Sequence, residues 1–224
     1  MNFLQSITEK AINSVTKSLN TINEALKGSR KVTAFNLIPA LTQYITTENS
    51  YDTITKSLNF GSSTFSRQHD KLKPILFSKL FHNFIDTIHK PLLQKLNMHS
   101  TTYIIDGSGL TLDTRIKYKL QSHGILMSVM YDYNLQMPID ICVNTYYQEQ
   151  KCVYLSHLKF IKQNDYVLFD RNYFSYKLYN EIIKRKAFGI FRLKKQINVV
   201  KEFVKSNSFD NIVKLKDGNK NTTY

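Results

Sequence analysis

Two aspartates close short apolar runs: Asp106 ends Tyr103-Ile104-Ile105, and Asp170 ends Val167-Leu168-Phe169. An acid at the end of a buried strand sits where neighbouring strands can converge with it. Two carboxylates facing one cavity suit hard cations such as Mg²⁺, which take oxygen ligands and keep several waters. Phosphodiester chemistry uses such ions to activate the nucleophile and to stabilise the leaving oxygen. Spacing alone leaves plainer roles open, because Asp106-Gly107 is a turn dipeptide and Asp170 can cap the segment after it. Asp132 and Asp140 flank a hairpin, and Asp113 lies in a Thr/Leu/Asp stretch beyond the first strand; all three read as turn or solvent-facing acids.

Other chemistries lack their residues. The six histidines, His69, His82, His89, His99, His123 and His157, show neither an HExxH pattern nor paired spacing. Gly107 and Gly109 lack the third glycine and the following helix of a dinucleotide-binding loop. Cys142 and Cys152 are too few and too loosely spaced for a disulfide framework or a cysteine zinc site, and read as reduced thiols. The amino terminus, MNFLQSITEK, carries no secretory signal, and no run of about 20 apolar residues marks a membrane span. An intracellular protein without a membrane partner is expected, in the cytoplasm or nucleoid.

Charge points to the partner. The chain has 31 Lys and Arg against 17 Asp and Glu, a net of +14 over 224 residues. Such an excess favours polyanions, nucleic acid foremost, through counterion release. From Lys184 onward there are eleven Lys and Arg against three acids, so any DNA path is expected to cross this end.

The elements that must position Asp106 and Asp170 follow from periodicity. Ile12, Val15, Leu19, Ile22 and Leu26 fall on one face of a helix that Gly28 ends; further helices are expected over about Ala34–Tyr44 and Pro74–Leu96. Between them, SYDTITKSLNFGSSTFSRQHDK has the form of a weak helix-turn-helix. The period changes at Thr101. TTYIID, SHGILMSVMYDYN and MPIDICVN read as three strands, the last two a hairpin; a helical link follows over Gln148–Gln163. DYVLFD is a fourth strand, Ser175 caps a helix to about Lys186, and AFGIFRL is a fifth. Residues from Lys194 to Tyr224 are basic and less patterned.

Four segments in order resemble the insertion-sequence-four group of DDE transposases: IIDGSGL, SVMYDYNLQMPIDI, LFDRNYFS and FGIFRLKK. The resemblance covers about Ser50 to Lys195. It implies an α/β chain: a helical region over 1–98 that is a candidate for DNA binding, an incomplete RNase H-like mixed sheet with flanking helices over 99–195, and the start of an insertion over 196–224. Asp106 and Asp170 would then be the first two catalytic, metal-binding acids, with Mg²⁺ or Mn²⁺ as cofactor. Arg171, Arg192, Lys194 and Lys195 would hold phosphates of double-stranded DNA at transposon ends, in a possible homodimer. Asn172 stands where the family has glycine. The family's third acid lies downstream in a Tyr-Arg-Glu-Lys signature that this sequence lacks, and neither Glu181 nor Glu202 has its neighbours. The resemblance therefore implies a transposase shortened or split before that acid and inactive by itself; the alternative is a non-catalytic DNA-binding remnant or regulator of an intact transposase.

Overall fold

The computed structural model describes residues 3–26, 32–47, 50–56, 61–111, 124–145, 148–206 and 210. Asp113 and His123 lie outside them. The chain divides into two compact units, Met1–Leu96 and Asn97–Tyr224.

The first unit is helical: α1 (Phe3–Ala25), α2 (Ala34–Thr47), α3 (Tyr51–Thr55), α4 (Ser62–His69) and α5 (Pro74–Lys95). Asn23 Oδ1 accepts from the Ala34 backbone N–H at 2.6 Å, supplying an acceptor to the first turn of α2. Pro74 opens α5, where its missing N–H costs nothing. Ile22, Leu26, Leu37, Ile54 and Phe65 form the core. The stripe expected on α1 is buried only toward its C-terminal end, since Ile12 and Val15 are exposed. The suspected helix-turn-helix segment contains the two short helices α3 and α4.

The second unit holds five strands: β1 (Thr102–Thr111), β2 (Gly124–Asp132), β3 (Met137–Thr145), β4 (Tyr166–Phe169) and β5 (Phe188–Phe191). Their order is β3-β2-β1-β4-β5. Three strands form an antiparallel meander, and β4 and β5 add to β1 in parallel. The β2–β3 turn is closed by Asp132, whose Oδ1 accepts from Leu135 N–H at 2.9 Å. Parallel neighbours need crossovers, which helices supply. Helix α6 (Glu149–Leu155) and a 3₁₀ turn (His157–Lys159) lead from β3 to β4, and α7 (Tyr176–Lys184) leads from β4 to β5. Ser175 caps α7, its hydroxyl accepting from Leu178 N–H at 3.2 Å. Helix α8 (Asn198–Lys205) follows β5.

Alternation assigns the two faces of the sheet. Tyr103, Ile105, Leu126, Met130, Val167 and Phe169 are buried, as are Cys152, Val153, Leu178 and Ile182 of the crossover helices. The mixed sheet with flanking helices is the architecture expected from the sequence. Asp165 locks its entry edge: Oδ1 accepts from Thr101 N–H at 2.9 Å and Oδ2 from Lys162 N–H at 2.7 Å. Burial nevertheless raises the Asp165 pKa, because desolvation of the carboxylate outweighs these bonds.

Candidate active site at the strand ends

Neighbouring strands bring Asp106 and Asp170 together. Ile105 pairs with Phe169, and Phe169 with Phe191. The residues that follow, Asp106, Asp170 and Arg192, therefore leave the parallel ladder side by side, at about the 4.8 Å strand spacing. All three line one cleft, whose floor includes Ile104, Leu168 and Ile190. Those three are register partners two residues upstream, so acids, arginine and floor share one face of the sheet.

Asp106 does not end its strand. β1 continues to Thr111 against β2; only the pairing with β4 stops at Ile105. The turn reading of Asp106-Gly107 is corrected accordingly: Asp106 is a strand residue whose β4 neighbour has peeled away. Its Oδ1 accepts from Gly107 N–H at 2.8 Å. The Asp170 carbonyl accepts from Tyr173 N–H at 3.1 Å, while the capping role that Asp170 could have had for the next helix belongs to Ser175.

Arg192 Nη1 lies 3.5 Å from Asp170 Oδ1, with both side chains well exposed. Such an exposed pair contributes little to stability; its consequence is a cation held beside the acids. Arg171, Arg192, Lys194 and Lys195 line a second, adjoining cleft with Leu193 and Gln196. Arg192 belongs to both clefts, so the basic strip runs directly into the acidic pair. Glu181 is drawn elsewhere: it accepts from Lys184 Nζ and Arg185 Nη1, each at 2.9 Å, and these bonds lower its pKa. Among the described residues no group of three or more His, Cys, Asp or Glu comes together.

Behind the acids, on the opposite face, lies a polar chain that the sequence reading missed. Asp140 is fully buried, not solvent-facing, and its Oδ2 lies 2.7 Å from His157 Nδ1. His157 Nε2 lies 3.0 Å from Ser128 Oγ, and Ser128 Oγ lies 3.4 Å from the Tyr173 hydroxyl. Ser156 Oγ also donates to Asp140 Oδ2. All four members of the chain are at most 1% exposed. With Nδ1–H donating to Asp140, Nε2 accepts from Ser128 O–H, and Ser128 Oγ accepts from Tyr173 O–H. Each buried polar group then has a partner. One signal was available in the sequence: Asp140 stands between Ile139 and Ile141 inside a strand, away from the turn.

Comparison with known proteins places the chain. Residues 97–223 match the family model for the transposase DDE domain, more than half of the sequence. The chain belongs to the transposase DDE domain family. The match begins where the second compact unit begins, so the DDE domain and the unit carrying Asp106 and Asp170 coincide. No curated protein matches. Among solved structures, the chain is similar to the piggyBac transposase in a cryo-EM synaptic complex with hairpin DNA, at 13% identity and a TM-score of 0.45. That match covers 90% of this chain and 52% of the piggyBac chain, so this chain spans about half the length of that relative. Among the described residues no helix is long and apolar enough to cross a membrane.

Proposed function

We propose that this chain supplies the first two metal-binding carboxylates, Asp106 and Asp170, of a transposase active site that cleaves and joins DNA, in the manner of the insertion-sequence-four group. The observation that carries the reading is the register: the two acids stand side by side on one face where the parallel β1–β4 pairing ends, with Arg192 beside them. The donor set fits Mg²⁺ or Mn²⁺, since both groups are carboxylates with access to water, and such ions prefer oxygen ligands and retain waters. A bound divalent ion would activate the attacking oxygen and neutralise charge on the leaving one.

The chain's own residues do the rest. Arg171, Arg192, Lys194 and Lys195 hold backbone phosphates of double-stranded DNA, and Arg192 leads that backbone to the acids. Phosphate contacts of this kind set register without reading sequence.

The test is Mn²⁺ binding followed by electron paramagnetic resonance, with DNA binding followed by gel shift on the same preparations. Asp106→Asn and Asp170→Asn are each expected to weaken Mn²⁺ binding at least tenfold while leaving DNA binding in place. Mn²⁺ binding that is equal in wild type and both variants overturns the assignment.

A further inference from the structure

The buried chain Asp140–His157–Ser128–Tyr173 ends beneath the proposed active site, and its geometry assigns it a task there. Tyr173 is the third residue after Asp170 and is tied back to it by the bond from Tyr173 N–H to the Asp170 carbonyl. Its hydroxyl reaches under the neighbouring strand. A Cβ placed on Gly107 would stand 3.0 Å from that oxygen, so the Tyr173 hydroxyl is packed against the backbone next to Asp106. One side chain thus touches the strand of the first acid while its backbone turns on the second.

The hydroxyl is not free to swing. Ser128 lies directly across from Gly107 in the β1–β2 register. Its oxygen contacts the Tyr173 hydroxyl on one side and His157 Nε2 on the other, and Asp140 holds the far ring nitrogen. The chain crosses β3, β2 and β1 and ends in the segment after β4. On the ring side, Phe169 stacks at 4.6 Å on Phe191 and packs at 5.7 Å against Tyr173. Burial raises the Tyr173 pKa well above that of a free phenol, and the nearby Asp106 charge pushes the same way. The hydroxyl therefore keeps its proton and stays a donor. An Asp-His-Ser order invites comparison with a nucleophilic site, but Ser128 and His157 are 0% exposed, which denies any substrate access to them.

We propose that Tyr173 is a positioning residue: held by Ser128, His157 and Asp140, it fixes Asp106 relative to Asp170 and so sets the affinity of the pair for a divalent cation. This rests on the assignment of Asp106 and Asp170 as metal ligands. Residues behind a metal site that orient its ligands typically change affinity by roughly 10–100-fold when altered.

The experiment compares wild type, Tyr173→Phe, Ser128→Ala and Asp106→Asn by Mn²⁺ titration and by thermal melting. Tyr173→Phe keeps the ring packing and removes only the hydroxyl. It is expected to weaken Mn²⁺ binding about tenfold in a protein that still melts cooperatively, and Ser128→Ala, which frees the same hydroxyl, is expected to act in the same direction. If Tyr173→Phe does not fold, Ser128→Ala decides the question alone. A melting temperature that falls while Mn²⁺ affinity stays at the wild-type value marks a merely structural tyrosine and overturns the proposal. Wild-type binding lost in Asp106→Asn but intact in Tyr173→Phe overturns this inference and leaves the metal assignment standing. A wild type that binds no Mn²⁺ overturns both.

Discussion

Gly107→Ala isolates the contact between the two halves of the proposed site without involving metal or DNA. The added methyl would stand 3.0 Å from the Tyr173 hydroxyl and 3.0 Å from Leu126 Cδ1. Comfortable carbon contacts run at about 3.5–4.0 Å, so the intrusion is roughly half an ångström on two sides. Both neighbours are buried, at 1% and 3% exposure, and Tyr173 is held by its bond to Ser128. Overpacking of this kind costs about 1–3 kcal/mol. Alanine in a strand recovers about 0.5–1 kcal/mol of backbone entropy relative to glycine. The net expectation is a loss centred on about 1 kcal/mol and at most about 2.5 kcal/mol. In a Tyr173→Phe background one of the two obstructing atoms is gone, so the same substitution should cost about 1 kcal/mol less. Urea denaturation of the four proteins in the cycle measures the coupling directly, provided the slope with urea stays constant. Effects of Gly107→Ala and Tyr173→Phe that add to within about 0.3 kcal/mol would refute the claim that the hydroxyl presses on the β1 backbone.

Asp140→Ala should cost about 1–3 kcal/mol in the same urea assay, because it leaves the His157 Nδ1–H and the Ser156 hydroxyl without their acceptor in a dry interior; Asp140→Asn should cost less, since its amide oxygen can still accept from Nδ1–H. Replacing Lys194 and Lys195 with Ala should weaken DNA binding similarly for any sequence and reduce the slope of log affinity against log salt by about 2, read by fluorescence anisotropy across a salt series. Asp165 has a folded-state pKa raised above its unfolded value, so its stabilising contribution is present below the unfolded value and is lost as pH rises through the folded one. Thermal melts should therefore show wild type gaining on Asp165→Asn as pH falls from about 7 toward 4, and a difference that is flat or opposite in sign over that window would refute this reading of the burial.

The parts of the second unit that local pattern controls were legible in the sequence. Short β-rich runs, the polar hairpin turn and the Ser175 cap depend on residues within a few positions of one another, and each appears as expected. Asp106 and Asp170 stood out for the same reason, since an acid after three apolar residues is a local feature. Their pairing is not local. It depends on β4 joining β1 in parallel with Ile105 opposite Phe169, a register that no short window contains. Helix α8 falls in the basic, less patterned stretch after Lys194, although Val200, Phe203 and Val204 keep helical spacing.

The buried chain was invisible for a deeper reason. His157 meets Asp140 across 17 residues, Ser128 across 29, and Ser128 meets Tyr173 across 45. None of these side chains is unusual for its element, and a polar residue inside a strand reads as solvent-facing unless the face it shares is known. The face is set by β1: Gly107 leaves room on the helix-covered side, the Tyr173 hydroxyl fills that room, and a buried hydroxyl must find a partner or cost roughly 1–3 kcal/mol. Ser128 meets that need and creates the next one, which His157 and then Asp140 answer in turn. Desolvation thus propagates from one glycine across three strands. Gly107, directly after Asp106 within β1, and Tyr173, three residues past Asp170, are consequently packed against each other behind the acidic pair.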